Sequence, residues 1–228
     1  MFLTKIDLAP ERRLARKYLG SPQVMHAVVM GTTGGHEGNG PGRVLWRVDR
    51  GVTTALYILS PLEPDCSQLV AEAGAAGAQA RTLDYSPFIA SLDTGQLWAF
   101  RLAANPSYST SKGPGVRGQR YGHVTVEQQR QWLIERTPRL GFELMPVDHA
   151  DGEGTDEAVL VAHRERPVFS RRRPGGGGYD RVTINRTVYE GVMRITDPES
   201  LCRALVTGIG KSKAYGCGLM TLARVQQV

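Results

Sequence analysis

From Phe2 to Leu8 apolar and polar residues alternate, the period of a half-buried strand, and Pro10 then opens a basic helical stretch through Tyr18. Gly20-Ser21-Pro22 breaks it. Beyond the break Val24, Met25, Val28 and Val29 recur at helical spacing up to Met30, with Ser21 as the cap and Pro22 in the first turn. Strands are expected at about 43–48 and 53–59, joined by the turn Asp49-Arg50-Gly51. A loop over 61–66, an alanine-rich helix over 67–80 and a strand over 97–103 follow. The order β-α-β-β-α-β is the ferredoxin-like arrangement.

The second half repeats the pattern less clearly. A helix is expected over 124–136, an extended stretch over 142–146, and a long hairpin from 158–164 and 181–190. A short helix over 198–206 and a closing strand over 219–225 complete it. The strand at 97–103 either serves both halves or begins the second. The expected fold is α+β, two tandem ferredoxin-like (RRM-like) βαββαβ domains. The first covers residues 1–95; the second, 96–228, carries a glycine-rich loop and a basic hairpin. That topology alone decides no function, because it also builds sensors and metabolic enzymes.

Charge narrows the choice. The 228 residues carry a net charge of +6, and the excess is uneven. Between Arg164 and Arg186 stand seven arginines against Glu165 and Asp180, whereas Glu143 to Glu157 holds six acids and no lysine or arginine. Arg101, Lys112, Arg117 and Arg120 form a third basic segment. Three such segments favour a nucleic-acid partner over a set of merely solvated loops. The three cysteines, Cys66, Cys202 and Cys217, have no paired short spacing, so neither a disulfide framework nor a zinc site is expected. Lys5 and Asp7 interrupt any signal-peptide core, and no apolar run reaches membrane-spanning length. A cytoplasmic protein with no membrane association is expected.

The densest glycine segment runs from Gly208 to Gly218 and contains Lys211 and Lys213. It is not a nucleotide P-loop, because the position five residues before Gly210-Lys211-Ser212 is Leu205 where that motif needs glycine. No nucleotide cofactor is expected, and a polyphosphate backbone is the better ligand. Gly208, Gly210, Gly216 and Gly218 would allow close backbone approach, with Lys211 and Lys213 neutralising charge. Arg171, Arg172 and Arg173, followed by Pro174 and four glycines, read as the shoulder of a hairpin tip directed at phosphates. The bland alternatives are a helix-to-strand connection and a solvated basic loop. Asn105-Pro106 reads as a structural turn. His26, set among Val24, Met25, Val28 and Val29, reads from the residues alone as a partly buried histidine on an apolar helix. His123, His149 and His163 show no metal-ligand spacing, and no metal or other cofactor is expected.

Several segments together resemble the CasE family of type I-E CRISPR precursor-RNA endoribonucleases, within the RAMP group of tandem ferredoxin-like proteins. They are Met1-Phe2-Leu3-Thr4-Lys5, Pro22-Gln23-Val24-Met25-His26, Val44-Leu45-Trp46-Arg47 and Pro64-Asp65-Cys66-Ser67. Phe100-Arg101-Leu102, Ala104-Asn105-Pro106, Tyr189-Glu190-Gly191 and the glycine segment continue the match. The resemblance implies metal-independent cleavage of the CRISPR repeat transcript at the 3′ base of its hairpin, leaving 2′,3′-cyclic phosphate and 5′-hydroxyl ends. It also implies retention of the guide RNA and assembly with other Cascade subunits. It makes His26 the catalytic histidine and sends the basic hairpin to the base of the RNA stem. Where the family often has tyrosine three residues earlier, this chain has Gln23, which can orient but not titrate. Tyr18 and His36 are the candidates for supporting roles. A non-cleaving hairpin-binding subunit is the alternative.

Overall fold

The structure is a computed structural model that describes residues 1–35, 42–110, 113, 119–148, 155–157, 159–173 and 177–225. Its first half comprises β1 (Phe2–Leu8), α1 (Arg13–Gly20), α2 (Pro22–Thr32), β2 (Leu45–Arg50), β3 (Thr54–Ser60), α3 (Ser67–Ala73) and β4 (Arg81–Asp84). The strands pair antiparallel in the order β2-β3-β1-β4. The hairpin turn lies at 51–53, two residues beyond Asp49-Arg50-Gly51, and closes through Gly51 N–H on the Thr53 carbonyl at 3.2 Å. The break between α1 and α2 is a working cap: Ser21 Oγ accepts from Val24 N–H, and Pro22 fills the first turn. Met25 and Val29 then bury one face of α2 against Ile6, Leu56, Ile58 and Leu69. Truncating a buried side chain such as Met25 to alanine typically costs about 2–5 kcal/mol.

One expectation fails here, and of the two readings left open for the strand at 97–103 the second holds, since it begins the second sheet. The helix expected over 67–80 ends at Ala73, and the strand that closes the first sheet is Arg81–Asp84 rather than the one near Leu97. Gly74 leaves the helix in extended geometry and bridges to Leu8, while Ala75 N–H donates to the Asp7 carbonyl. Backbone pairing with β1 thus overrides alanine's helix propensity.

After α4 (Ser86–Ala90) the second half runs β5 (Leu97–Ala104), β6 (Ser107–Thr110), β7 (Gln119–Gly122), α5 (Val126–Ile134), α6 (Thr137–Leu140), β8 (Phe142–Leu144) and β9 (Pro146–Asp148). It continues through β10 (Thr155–Glu157), β11 (Val159–Glu165), β12 (Val168–Arg172), β13 (Tyr179–Thr183), β14 (Arg186–Ile195), α7 (Pro198–Thr207) and β15 (Met220–Arg224). The order β11-β14-β5-β15 repeats the first sheet's topology, with β8 pairing the end of β14. The expected long hairpin divides in two: β11 pairs with β14, and β12 with β13 forms a separate projecting arm. The hairpin of β6 and β7 was not expected.

Each sheet has its own core, and a smaller cluster of Leu45, Leu59, Tyr85 and Leu219 lies between them. Arg47 of β2 crosses this seam, only 1% exposed. Its guanidinium binds both carboxylate oxygens of Asp49 at 2.7 and 2.9 Å. The same group donates to the carbonyls of Arg101 and Leu219 at 2.7 and 3.1 Å and to Thr221 Oγ1 at 2.9 Å. A buried cation so fully partnered fixes one arrangement of the two sheets.

Candidate functional site

The segment from Gly208 to Gly218 leaves α7, turns through a short 3-10 helix at Lys213–Tyr215 and enters β15. Its glycines answer first to packing. Gly216 has φ +76°, and a Cβ there would meet the buried Trp46 ring at 2.7 Å. One at Gly208, φ +79°, would meet the Leu45 methyls at 2.8 Å. The segment is therefore pressed onto β2 of the first sheet, where any side chain at these positions would hold it off. Ser212, φ +62°, is the one non-glycine described residue in left-handed geometry. Its hydroxyl accepts from Asn105 Nδ2 at 2.8 Å, and Asn105 Oδ1 accepts from Asn185 N–H at 3.2 Å. Asn105 is thus a structural anchor of the turn.

The helix α2, which carries His26, packs on that turn, and so does β2. Phe169 of β12 meets the Tyr215 ring edge-on at 4.8 Å between centroids. Arg171 hydrogen-bonds Tyr215, the first cause of a guanidinium pKa raised above the ordinary value, with Asp180 adding to it. Histidine helix, glycine turn and basic arm therefore converge from segments far apart in the chain. His26 is half-buried, on the flank of α2 next to Gln23, which lies about 60° around the helix axis.

The remaining candidates divide. Gln23 is exposed and lines an open cleft of about 730 Å³ between α1, α2 and α3, together with Tyr18 and Glu72. The Tyr18 phenol donates to Glu72 Oε2. Burial first, then this carboxylate, pushes its pKa up to about 12, so it is a packed phenol engaged away from the turn. His36 lies outside the described residues, as does the arm's tip at 174–176. Arg171 and Arg173 both reach Asp180, at 3.5 and 2.7 Å, so part of the arm's charge is internally compensated. The backbone of Arg172 pairs with Tyr179.

The two lysines of the glycine segment also part company. Lys213 Nζ donates to the Thr207 carbonyl at 2.6 Å, sealing the end of α7. Burial, then the positive charges of Arg43 and Lys211, lower its pKa. Lys211 is exposed and faces a cleft of about 160 Å³ shared with Arg136 and Arg139. Sequence reasoning missed Arg43, Arg136 and Arg139, which are scattered single arginines that only the fold gathers. Among the described residues, no group of three His, Cys, Asp or Glu side chains converges that could hold a metal ion. No helix among them is long and apolar enough to cross a membrane.

Comparison with known proteins gives a consistent result. The profile of a family described as CRISPR associated protein matches residues 1–224. The CRISPR-associated endoribonuclease Cse3 of Thermus thermophilus is 30% identical over 226 residues, 98% of this chain and 100% of that one. A structure of endoribonuclease Cse3 bound to 19-nucleotide RNA has a TM-score of 0.78 at 28% identity, covering 98% and 100% of the two chains. Thermus thermophilus Cse3 bound to an RNA representing a pre-cleavage complex gives 0.72 at 26%, covering 97% and 98%. Cas6e of Escherichia coli shares the tandem ferredoxin-like fold, with a TM-score of 0.55 at 20% identity over 99% and 100%.

Proposed function

Because the chain belongs to the CRISPR-associated protein family, we propose that it is an endoribonuclease that binds the CRISPR repeat hairpin and cuts precursor RNA at the 3′ base of the stem. Full-length similarity to the endoribonuclease Cse3, and to its structures with RNA, supports this reading. The observation that carries it is the packing of α2 on the turn Lys213–Tyr215, where the arm also docks through Phe169 and Arg171. A group able to move protons is thereby held beside backbone and cations suited to phosphate.

In the reaction the 2′-hydroxyl attacks the adjacent phosphorus, the P–O5′ bond breaks, and 2′,3′-cyclic phosphate and 5′-hydroxyl ends result. The 2′ proton must be accepted and the departing 5′ oxygen must receive one. His26 takes one of these roles, and Gln23 orients. Arg171, Arg172, Arg173 and Lys211 hold phosphates; Gly208, Gly210, Gly216 and Gly218 let the loop sit where its amides can join them. Lys213 acts through the loop's shape. The working division is 1–95 and 96–228, with the site at the junction. The product stays bound as part of Cascade in the cytoplasm.

Cleavage should persist in excess chelator and stop when the nucleotide 5′ of the scissile phosphate is 2′-deoxy. A cut 2′-deoxy substrate would refute the mechanism. Tight hairpin binding without cleavage would instead establish the delivery subunit, a reading favoured by the engagement of Tyr18 with Glu72, away from the turn.

A further inference from the structure

The hairpin of β6 and β7 carries an aromatic stack that nothing in the proposed cleavage uses. Tyr108 and Tyr121 face each other across the pair at 5.7 Å with their rings 28° apart, and His123 lies 5.1 Å from Tyr108. The two tyrosines are 47% and 42% exposed. Core packing does not account for them. The base of the hairpin is fixed: His123 N–H donates to the Pro106 carbonyl, and its own carbonyl accepts from Gln129 Nε2 and Asn185 Nδ2 at 3.0 and 3.1 Å. The aromatic surface is thus held in place before any ligand arrives.

Across the hairpin, on the face of Ser107 and Ser109 that alternates with that of Tyr108, lies the cleft of these two serines, Trp132, Arg136, Arg139, Gly210 and Lys211, with no carboxylate among its described lining. Arg136 is oriented by its own contacts, lying 4.4 Å over the Trp132 ring and donating to the Trp132 carbonyl at 2.7 Å, with Glu135 4.0 Å away at the rim. Burial and then the charge of Arg136 lower the His123 pKa, with Glu135 acting in the opposite sense, so the stack lies within electrostatic reach of the cleft. Exposed rings on one face of a hairpin and cations along the other suit a single strand that passes over the hairpin's edge: a π-face for a base and charge for the phosphates that follow.

We propose that Tyr108, Tyr121 and His123, with Arg136, Arg139 and Lys211, form a subsite for unpaired nucleotides flanking the repeat stem. It rests on the RNA reading above and extends it to the substrate outside the duplex. Paired bases in an A-form stem are stacked on each other, so an exposed ring can take up only an unpaired base. The flank is the occupant rather than the apical loop because of distance. Lys211 lies within about 8 Å along the chain of Lys213, where the turn meets α2, so the subsite adjoins the stem's base.

The test compares RNA affinities by fluorescence anisotropy, using the stem-loop of the CRISPR repeat from the same genome. Three probes are needed: the bare stem, the stem with four unpaired nucleotides on its 5′ side, and the stem with four on its 3′ side. The scissile position is 2′-deoxy in all of them. At least one flank should tighten wild-type binding by about 5–100-fold, the effect of stacking one base. The double variant Tyr108→Ala/Tyr121→Ala should lose that gain while holding the bare stem as before, and Tyr108→Phe/Tyr121→Phe should keep it. Arg139→Gln should lower the salt dependence by about one unit for the flanked probe only. Equal affinity for all three wild-type probes, or an undiminished gain in the alanine pair, would overturn the subsite and leave the hairpin reading standing. Failure of wild type to hold the bare stem would bring down both.

Discussion

The two halves share one strand order and put it to different uses. In the first, β2-β3-β1-β4 contributes to the candidate site chiefly a helix anchored by Met25 and Val29. In the second, β11-β14-β5-β15 carries two added hairpins and the glycine segment. The repeated sheet is a frame, and the chemistry lies in what was attached to it. On the proposed reading neither half holds the site alone: one supplies a titratable ring, the other the surface that would receive the phosphate.

That division can be broken by removing the contribution of the first half. His26→Ala should slow single-turnover cleavage by roughly 10²–10⁴-fold with hairpin affinity nearly unchanged. Near-normal cleavage would move the chemistry to the second half. Cutting the link between the halves comes next. Arg47→Leu leaves the carbonyls of Arg101 and Leu219 without their donor and Asp49 with only the Arg101 guanidinium at 3.3 Å, and loss of one partner from a buried ion pair typically costs about 3–5 kcal/mol. Chemical denaturation should show that loss; an unchanged midpoint would mean that the seam is held by its apolar cluster instead.

Gly216→Ala probes the pressing of the turn onto β2. The left-handed backbone and the Trp46 ring together should cost roughly 2–4 kcal/mol and slow cleavage with it. If Gly216 serves phosphate approach alone, stability will be unaffected and only binding will weaken. The smallest effect separates the two lysines. Lys211→Gln should reduce the slope of binding against salt by about one unit, whereas Lys213→Gln should leave the slope and lower the melting temperature, because that ammonium caps α7. Equal slopes for both would return Lys213 to the phosphates.

What the chain disclosed followed the strength of its local signals. Ser21-Pro22 and the spacing of Val24, Met25, Val28 and Val29 specify α2 outright, since cap, proline and period agree. Arg81-Thr82-Leu83-Asp84 carries no alternation and is mostly exposed, so its pairing with β1 is decided by that neighbour and not by its own residues. The same holds at the site. The glycine segment and the arginine run are contiguous in sequence and were visible there. Lys213 turning inward, and Arg136 meeting Arg139 and Lys211, are products of the fold. Charge counted along a chain does not tell which cations are already engaged.

The span of the Arg47 clamp bears on how the protein is made. Its acceptor at Leu219 lies 172 positions later in the chain. As the polypeptide emerges from the ribosome, the first sheet can close once β4 is out, whereas the turn that receives α2 waits for nearly all of the second half. Contacts so distant in sequence form late, because closing the intervening loop costs entropy before any contact repays it. His26 is therefore synthesised early and completed late. If the proposed site is right, a nascent or truncated chain presents a first sheet without the phosphate-binding surface beside it, and cutting is expected to wait until the whole second half is folded.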